Sequence, residues 1–196
     1  MTRRHSEAFA RNHQPIIHVM ESILQPGDVV WEIGCGTGQH SVVFAQHFPD
    51  CTFCPSDRAG TLDSAIAWAA DANLPNLRRP VSFDLFHKEP AVAGADVIVS
   101  INVLHIAPVD ACRRLFEHAA SLAPGGRVVT YGPWRYNDRP LEPSNEQFDE
   151  FLREQDPTMG LRVAQDVDAI AASLGWHLCN DIAMPANNRM RWWTRA

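Results

Sequence analysis

Apolar positions along the chain change period several times, and the changes come in a regular order. Ile16, Ile17, Met20, Ile23 and Leu24 recur at helical spacing and predict a helix over residues 15–24, broken by Pro26-Gly27-Asp28. Val29-Val30-Trp31-Glu32-Ile33 is a short apolar and β-branched run, the pattern of a buried strand. A glycine loop follows, then a helix over 41–48 ended by Pro49. The same alternation continues with a short strand over 51–54, an alanine-rich helix over 62–72, and strands over 79–83 and 96–101. Leu115, Phe116, Ala119 and Leu122 share one face of a helix over 111–122, and residues 127–131 form the next strand after the turn Pro124-Gly125-Gly126.

Strands alternating with helices imply a parallel sheet covered by helices on both faces. Residues 132–162 break the rhythm. They are rich in Pro, Asn, Asp and Arg, and read as a long substrate-side loop with a short helix near 145–153. A helix over 163–174 and two strands, 176–183 and 189–194, close the chain as an antiparallel edge pair. The fold class is therefore α/β: a Rossmann-like, mostly parallel seven-stranded sheet with an antiparallel C-terminal edge.

Composition bounds what such a sheet is for. A length of 196 residues fits one domain spanning 1–196. The net charge of -6 argues against nucleic-acid binding by bulk electrostatics. No apolar run approaches a bilayer span and the N-terminus lacks an apolar signal segment, so the expected location is cytoplasmic, without a membrane partner. Cys51 and Cys54 form a C-x-x-C, but no second pair accompanies them, and residues three apart on a strand face opposite ways. No metal site is expected.

The chemistry concentrates in Glu32-Ile33-Gly34-Cys35-Gly36-Thr37-Gly38. A glycine turn from strand to helix lets backbone approach a ligand, and the helix start offers free N–H groups to an anion. The dinucleotide fingerprint needs glycine at a third position that is Gln39 here, and no G-K-[ST] follows, so a P-loop is excluded as well. The spacing Gly34, Gly36, Gly38 after Glu32 is the form associated with methyltransferases that use S-adenosyl-L-methionine. Asp57, just past the second strand, is placed to accept from ribose hydroxyls. Asp84 is placed to accept from an adenine amine while the Leu85 N–H donates to a ring nitrogen, with Leu85 or Phe86 against the ring. Asn102 and His105 follow the fourth strand, where cofactor and substrate meet in such sheets.

These residues sit within a longer resemblance. Arg11-Asn12 with Pro15-Ile16, Gly36-Thr37-Gly38-Gln39-His40, Pro55-Ser56-Asp57, Ser100-Ile101-Asn102 with His105-Ile106, Tyr131-Gly132-Pro133, Ser144-Asn145 with Phe148-Asp149, Asp156-Pro157, Gly160 with Arg162, and Met184-Pro185-Ala186-Asn187-Asn188 run nearly end to end. Together they resemble the domain of unknown function 938 family, the methyltransferase-like protein 26 group. The resemblance implies a class I methyltransferase fold, with S-adenosyl-L-methionine as cofactor and S-adenosyl-L-homocysteine as product. Cys35 stands where that family usually has serine, Met159 replaces a tryptophan, and Val163 occupies an expected aspartate position.

Methyl transfer from a sulfonium needs orientation and desolvation more than protein chemistry. A hydroxyl or protonated amine acceptor also needs a base. His105 is the first candidate and His40 the second. Arg11, Asn12, Tyr131, Arg162, Asn187 and Asn188 are candidates for the acceptor pocket, with Arg162 or Arg11 able to hold a carboxylate. Asn187-Asn188 equally suits a turn before the last strand. The expected acceptor is a small molecule presenting N, O or S, with a carboxylate-bearing one among those considered. The alternatives are a non-catalytic cofactor-binding module, a nicotinamide-dependent oxidoreductase, and more distantly a metal hydrolase built on His40 and His105. The sequence does not distinguish a monomer from a homodimer.

Overall fold

The structure is a computed structural model describing residues 2–86, 94–122 and 124–195. Strands β1 (Val29–Ile33), β2 (Thr52–Asp57), β3 (Val81–Ser82), β4 (Val97–Ile101), β5 (Arg127–Arg135), β6 (Arg162–Val163), β7 (Trp176–Met184) and β8 (Asn188–Arg195) form one sheet. Its order is β3-β2-β1-β4-β5-β8-β7, with the two-residue β6 paired beside the end of β5. The seven expected strands and the antiparallel β8–β7 edge are present, and β6 is an addition. Helices α1 (Glu7–Met20) and α2 (Gln39–His47) cover one face, and α4 (Ala111–Ala119) and α6 (Ala164–Ser173) the other. The remaining helices are α3 (Asp63–Ala72) and α5 (Pro143–Gln155).

The central strands read as continuous apolar runs because both faces are covered. Val30, Ile98 and Val97 have no exposed surface. Phe44, Phe53, Met20 and Val129 fill one face; Leu115, Phe116, Trp176 and Trp193 fill the other. The register is flush where it matters. Ile33 pairs with Ser56 on one side and Ser100 on the other, and Ile101 pairs with Tyr131. The carboxyl ends of β1, β2, β4 and β5 therefore open onto one crevice. Chain order reverses between β1 and β4, the position where open α/β sheets bind ligands.

Several boundaries depart from the sequence pattern: β2 runs past Cys54 to take in Asp57, which was expected just beyond the strand, and two larger departures bear on the site. The first helix starts at Glu7, not residue 15, and ends at Met20. Ser6 caps it, its hydroxyl accepting from Phe9 N–H at 3.3 Å. Pro15 lies inside it. The turns before Pro15 carry no apolar stripe because they cover a polar crevice, so periodicity could not mark them. Strand β5 runs four residues past Tyr131, since Gly132 and Pro133 pair with Arg189 and Asn188 of β8, and Trp134 and Arg135 with β6. Glycine and proline there read as a break, whereas pairing with β8, and of the next two residues with β6, holds the segment extended.

A charged network supports this end of the sheet. Arg191, 1% exposed, donates to Asp168 at 2.7 Å and Asp181 at 3.1 Å. Its guanidinium lies 4.8 Å from the Trp134 ring and 5.1 Å from Trp193. The Tyr136 hydroxyl donates to Asp181 at 2.6 Å. Among the described residues no helix is long and apolar enough to cross a membrane.

Removing Arg191 takes the shared buried cation from Asp168, which keeps only Trp193 Nε1–H, and from Asp181, which keeps Arg189 and Tyr136. Arg191→Leu is expected to cost about 3 kcal/mol or more in urea denaturation; a loss below about 1 kcal/mol would show that the network contributes geometry without stability.

Candidate functional site

Two adjoining regions sit at the crevice. One is the bed formed by the glycine loop and the ends of β2 and β3. Gly34 and Gly38 have φ of 74° and 87°, and a Cβ would meet the Val103 side chain at 2.4 Å and the Ala65 Cα at 2.5 Å. Only glycine allows this turn. Gly36 is different, since a Cβ there would meet nothing within 4 Å. The loop is thus closed on its protein side and open at its middle. Gly36 N–H donates to Asp57 Oδ2 at 2.8 Å, and the other Asp57 oxygen accepts from Arg58 N–H at 2.7 Å. Asp57 is half-buried at the tip of β2. Gln39 ties the loop to the N-terminal segment by accepting from Ser6 N–H at 2.7 Å.

Glu32 lies beneath the loop, 2% exposed, and accepts from the Ser41 hydroxyl. Burial, reinforced by the neighbouring Asp57 charge, raises its carboxyl to about 7. Burial also pushes the Cys35 thiol up, with Glu32 and Asp57 adding to the effect, so Cys35 packs as an uncharged thiol. Asp84 follows β3, and its Oδ1 accepts from Phe86 N–H at 2.9 Å. The Leu85 side chain is buried in the core, which removes it from any ligand ring and leaves half-exposed Phe86 as the available face.

The second region is a cleft of about 580 Å³ against the ends of β4 and β5. It gathers six of the expected residues: Arg11, Asn12, Asn102, His105, Tyr131 and Asn188. Asn102 ends β4 with φ of 57°, a conformation that asparagine tolerates better than most residues. Its N–H donates to Tyr131 C=O at 2.8 Å, so the strand ends cannot splay. His105 sits on a one-turn 3-10 helix, 6% exposed, with its ring edge-on to Phe148 at 5.4 Å. Burial, helped by the Arg162 charge, holds its basicity down to about 4. It is neutral at physiological pH, and among the described residues its ring has no hydrogen-bond partner. Burial raises the Tyr131 hydroxyl, against a lowering influence from Asn12 and Arg11.

Three expected residues are elsewhere. His40 does not border the cleft. Its Nε2 lies 2.9 Å from Asn12 Oδ1, its ring packs on Phe9 and Phe44, and burial lowers it to about 4. It orients Asn12 and is not a base for an acceptor in the cleft. Arg162 is turned into the protein: its guanidinium donates to the carbonyls of Leu104 at 2.9 Å, Ala107, and Thr158 at 3.2 Å. Those acceptors occupy Nε and both Nη2 hydrogens, the edge that would grip a substrate carboxylate through two parallel hydrogen bonds. Asn187 forms the β7–β8 turn with Ala186, both at positive φ, and its Nδ2 donates to Ser144 Oγ at 3.2 Å.

Sequence reasoning also missed residues. Phe148 and Asn145 of α5 line the cleft. Asp149, 4% exposed, fixes α5 by accepting from Leu161 N–H at 2.6 Å, Arg135 at 2.5 Å and Arg153 at 3.1 Å. The polar, aromatic-bearing helix pattern of 145–153 was the available signal. Among the described residues, no three His, Cys, Asp or Glu side chains converge as a metal site.

Comparison with known proteins supplies the context. The sequence model of the family described as "Protein of unknown function (DUF938)" matches residues 3–195. N-methyltransferase nanE of Aspergillus nanangensis is 32% identical over 105 residues, covering 50% of this chain and 24% of that protein. An O-methyltransferase family protein from Burkholderia thailandensis superposes with a TM-score of 0.80 at 18% identity, covering 97% of this chain and 58% of the other. CalO1, a methyltransferase of calicheamicin biosynthesis solved with S-adenosylhomocysteine bound, superposes with a TM-score of 0.73 at 18% identity over 88% and 50% of the two chains. The chain spans about a quarter of the curated relative and about half of these solved structures. At these structural identities the likeness is one of fold, that of class I methyltransferases.

Glu32 generates a pH prediction. Its carboxyl ionises near 4.5 when unfolded and about 7 when folded. Between those values the unfolded chain loses its proton first, so stability falls as pH rises and levels off above about 7. Glu32→Gln should flatten that slope in melting curves across pH, and exceed the parent by about 3 kcal/mol at pH 8 in the unliganded protein. Parallel pH profiles for the two proteins would refute the assignment.

Proposed function

The chain belongs to the DUF938 family, and on that premise we propose that it is an S-adenosyl-L-methionine-dependent methyltransferase acting on a small-molecule acceptor, with residues 1–196 working as one catalytic domain. The observation that carries this reading is the adjacency of the two regions. A bed with an open Gly36, a ribose-type acid at Asp57 and a buried acid at Glu32 adjoins, across flush strand ends, a cleft that no Asp or Glu borders among the described residues.

The residues present fit the cofactor. Asp57 would take the ribose hydroxyls and Asp84 the adenine amine, with the Leu85 N–H on a ring nitrogen. Gly34, Cys35, Gly36 and Gly38 would run beside the methionine portion through backbone, and Glu32 would balance its positive charge from below. Asn102 stands between bed and cleft and would touch both ligands. When bound, the cofactor supplies a methyl group already activated on a sulfonium. The protein's part is to bind, orient and exclude water. Phe148 and Pro133 border the acceptor space with apolar surface, while Tyr131 and Asn102 give it polar anchors. His105, neutral and without a ring partner among the described residues, is the group that would accept a hydrogen bond from a hydroxyl or amine acceptor as the methyl group is transferred. The polar and apolar wall suits a small molecule; nothing in the -6 charge favours nucleic acid.

Calorimetric titration tests the reading. S-adenosylhomocysteine should bind, and Asp57→Asn, which keeps the size of the side chain but loses its charge, should weaken it at least about tenfold. Binding of NADH in place of S-adenosylhomocysteine would overturn the proposal in favour of an oxidoreductase.

A further inference from the structure

The cleft has a fixed polarity. Arg11 is the charged side chain bordering it, and no Asp or Glu does so among the described residues. Arg11 has one weak tie, Glu7 at 3.7 Å on the same exposed helix face, so its donors remain available to a ligand. It also reaches inward electrostatically, since its charge acts on the Tyr131 hydroxyl. The α1 side of the cleft is therefore cationic.

The opposite side is built to accept. Asn145 is buried, and its Nδ2 donates to Asn187 C=O at 3.1 Å. Asn188 Nδ2 donates to Pro185 C=O at 3.0 Å and Ala186 C=O at 3.2 Å. A carbonyl acceptor admits only the N–H end of a carboxamide, so both orientations are set by chemistry. Each side chain spends its amide nitrogen on a carbonyl of the β7–β8 turn and keeps its oxygen, which has no partner among the described residues. Two residues on different elements, α5 and β8, are locked in the same sense. Phe148, its ring edge-on to His105, supplies an aromatic surface to the same cleft.

Resting on the methyltransferase reading of this site, we propose that the acceptor is a small, flat molecule with a carboxylate at one end and N–H or O–H donors at the other. Arg11 takes the carboxylate, and the carboxamide oxygens of Asn145 and Asn188 take the donors. The cleft selects against cations at the α1 end and against molecules that offer only acceptors at the other.

Matched probes separate the two ends. p-Aminobenzoate carries both features, benzoate the anion alone, aniline the donor alone, and benzylamine a cation. Ligand-observed NMR at millimolar concentration, with and without S-adenosylhomocysteine, should rank p-aminobenzoate first, benzoate and aniline below it, and benzylamine last. Arg11→Gln should weaken p-aminobenzoate about tenfold and leave aniline unchanged. Glu7→Gln, which releases Arg11 from its competitor, should tighten both carboxylates, a change that misfolding cannot imitate. Equal binding of aniline or benzylamine, no binding of p-aminobenzoate, or indifference to both substitutions would overturn the proposal. S-adenosylhomocysteine binding is read in the same samples. Its absence alongside the expected ranking would defeat the methyltransferase reading while leaving the ligand class standing.

Discussion

Everything at the site depends on the register of four parallel strands. Ile33, Ser56, Ser100 and Tyr131 stand level or nearly so at their carboxyl ends, and a slip of one residue would turn every following side chain to the other face. The register holds because alternate residues of β1 and β4 pack into two different cores, Ile33 and Ile98 into one and Val30, Val97, Val99 and Ile101 into the other, so a slip would exchange side chains fitted to each. From that alignment the rest follows. The loop after β1 meets the end of β2 closely enough for Gly36 to bond Asp57, and the loop after β4 meets β5 closely enough for Asn102 to bond Tyr131. The reversal of chain order between β1 and β4 leaves the crevice open, because the crossovers leave in opposite directions.

The crevice is costly to the unliganded chain. Glu32 is buried with a single hydroxyl partner, near a second carboxylate. An apolar residue would pack there at less expense. Retaining an acid makes physical sense for a site that receives positive charge, because the desolvation already imposed on Glu32 makes its attraction to a cation stronger than in water. The same reasoning accounts for the neutral His105. Burial removes its charge, so it does not repel the cationic cofactor proposed next to it, and its lone pair stays available.

How far the sequence disclosed this depended on how local each cause was. The strand Val29–Ile33 was legible to the residue, since apolar and β-branched residues fill four of its five positions between Pro26-Gly27-Asp28 and the glycine loop. The glycine loop was legible because its φ angles dictate residue type. Arg162 was misplaced because the carbonyls of Leu104 and Ala107 that occupy it lie more than fifty positions away in the chain. His40 was misplaced because its partner Asn12 belongs to a stretch of α1 with no apolar signature. In each failure a polar side chain was satisfied by a distant partner, and composition near the residue carries no trace of that.

Helix α1 shows how one element can serve two constraints. Ile16, Ile17 and Met20, in its second half, anchor it in the core. Its first half, with Arg11 and Asn12, overhangs the cleft and is held from outside by Ser6 on Gln39 and by Arg4 N–H on Ser64 at 2.9 Å. The partners of that segment lie in α2 and α3, and Gln39 and Ser64 in turn bond Thr37 of the glycine loop, so the residues that would meet the acceptor are tied to the elements that would meet the cofactor. The start of α1, and with it the cationic wall, is therefore positioned by the same residues that position the glycine loop. Coupling of this kind needs no moving domain: it requires only that the two walls share hydrogen bonds, as Gln39 makes them do by accepting from Ser6 and from Thr37 together.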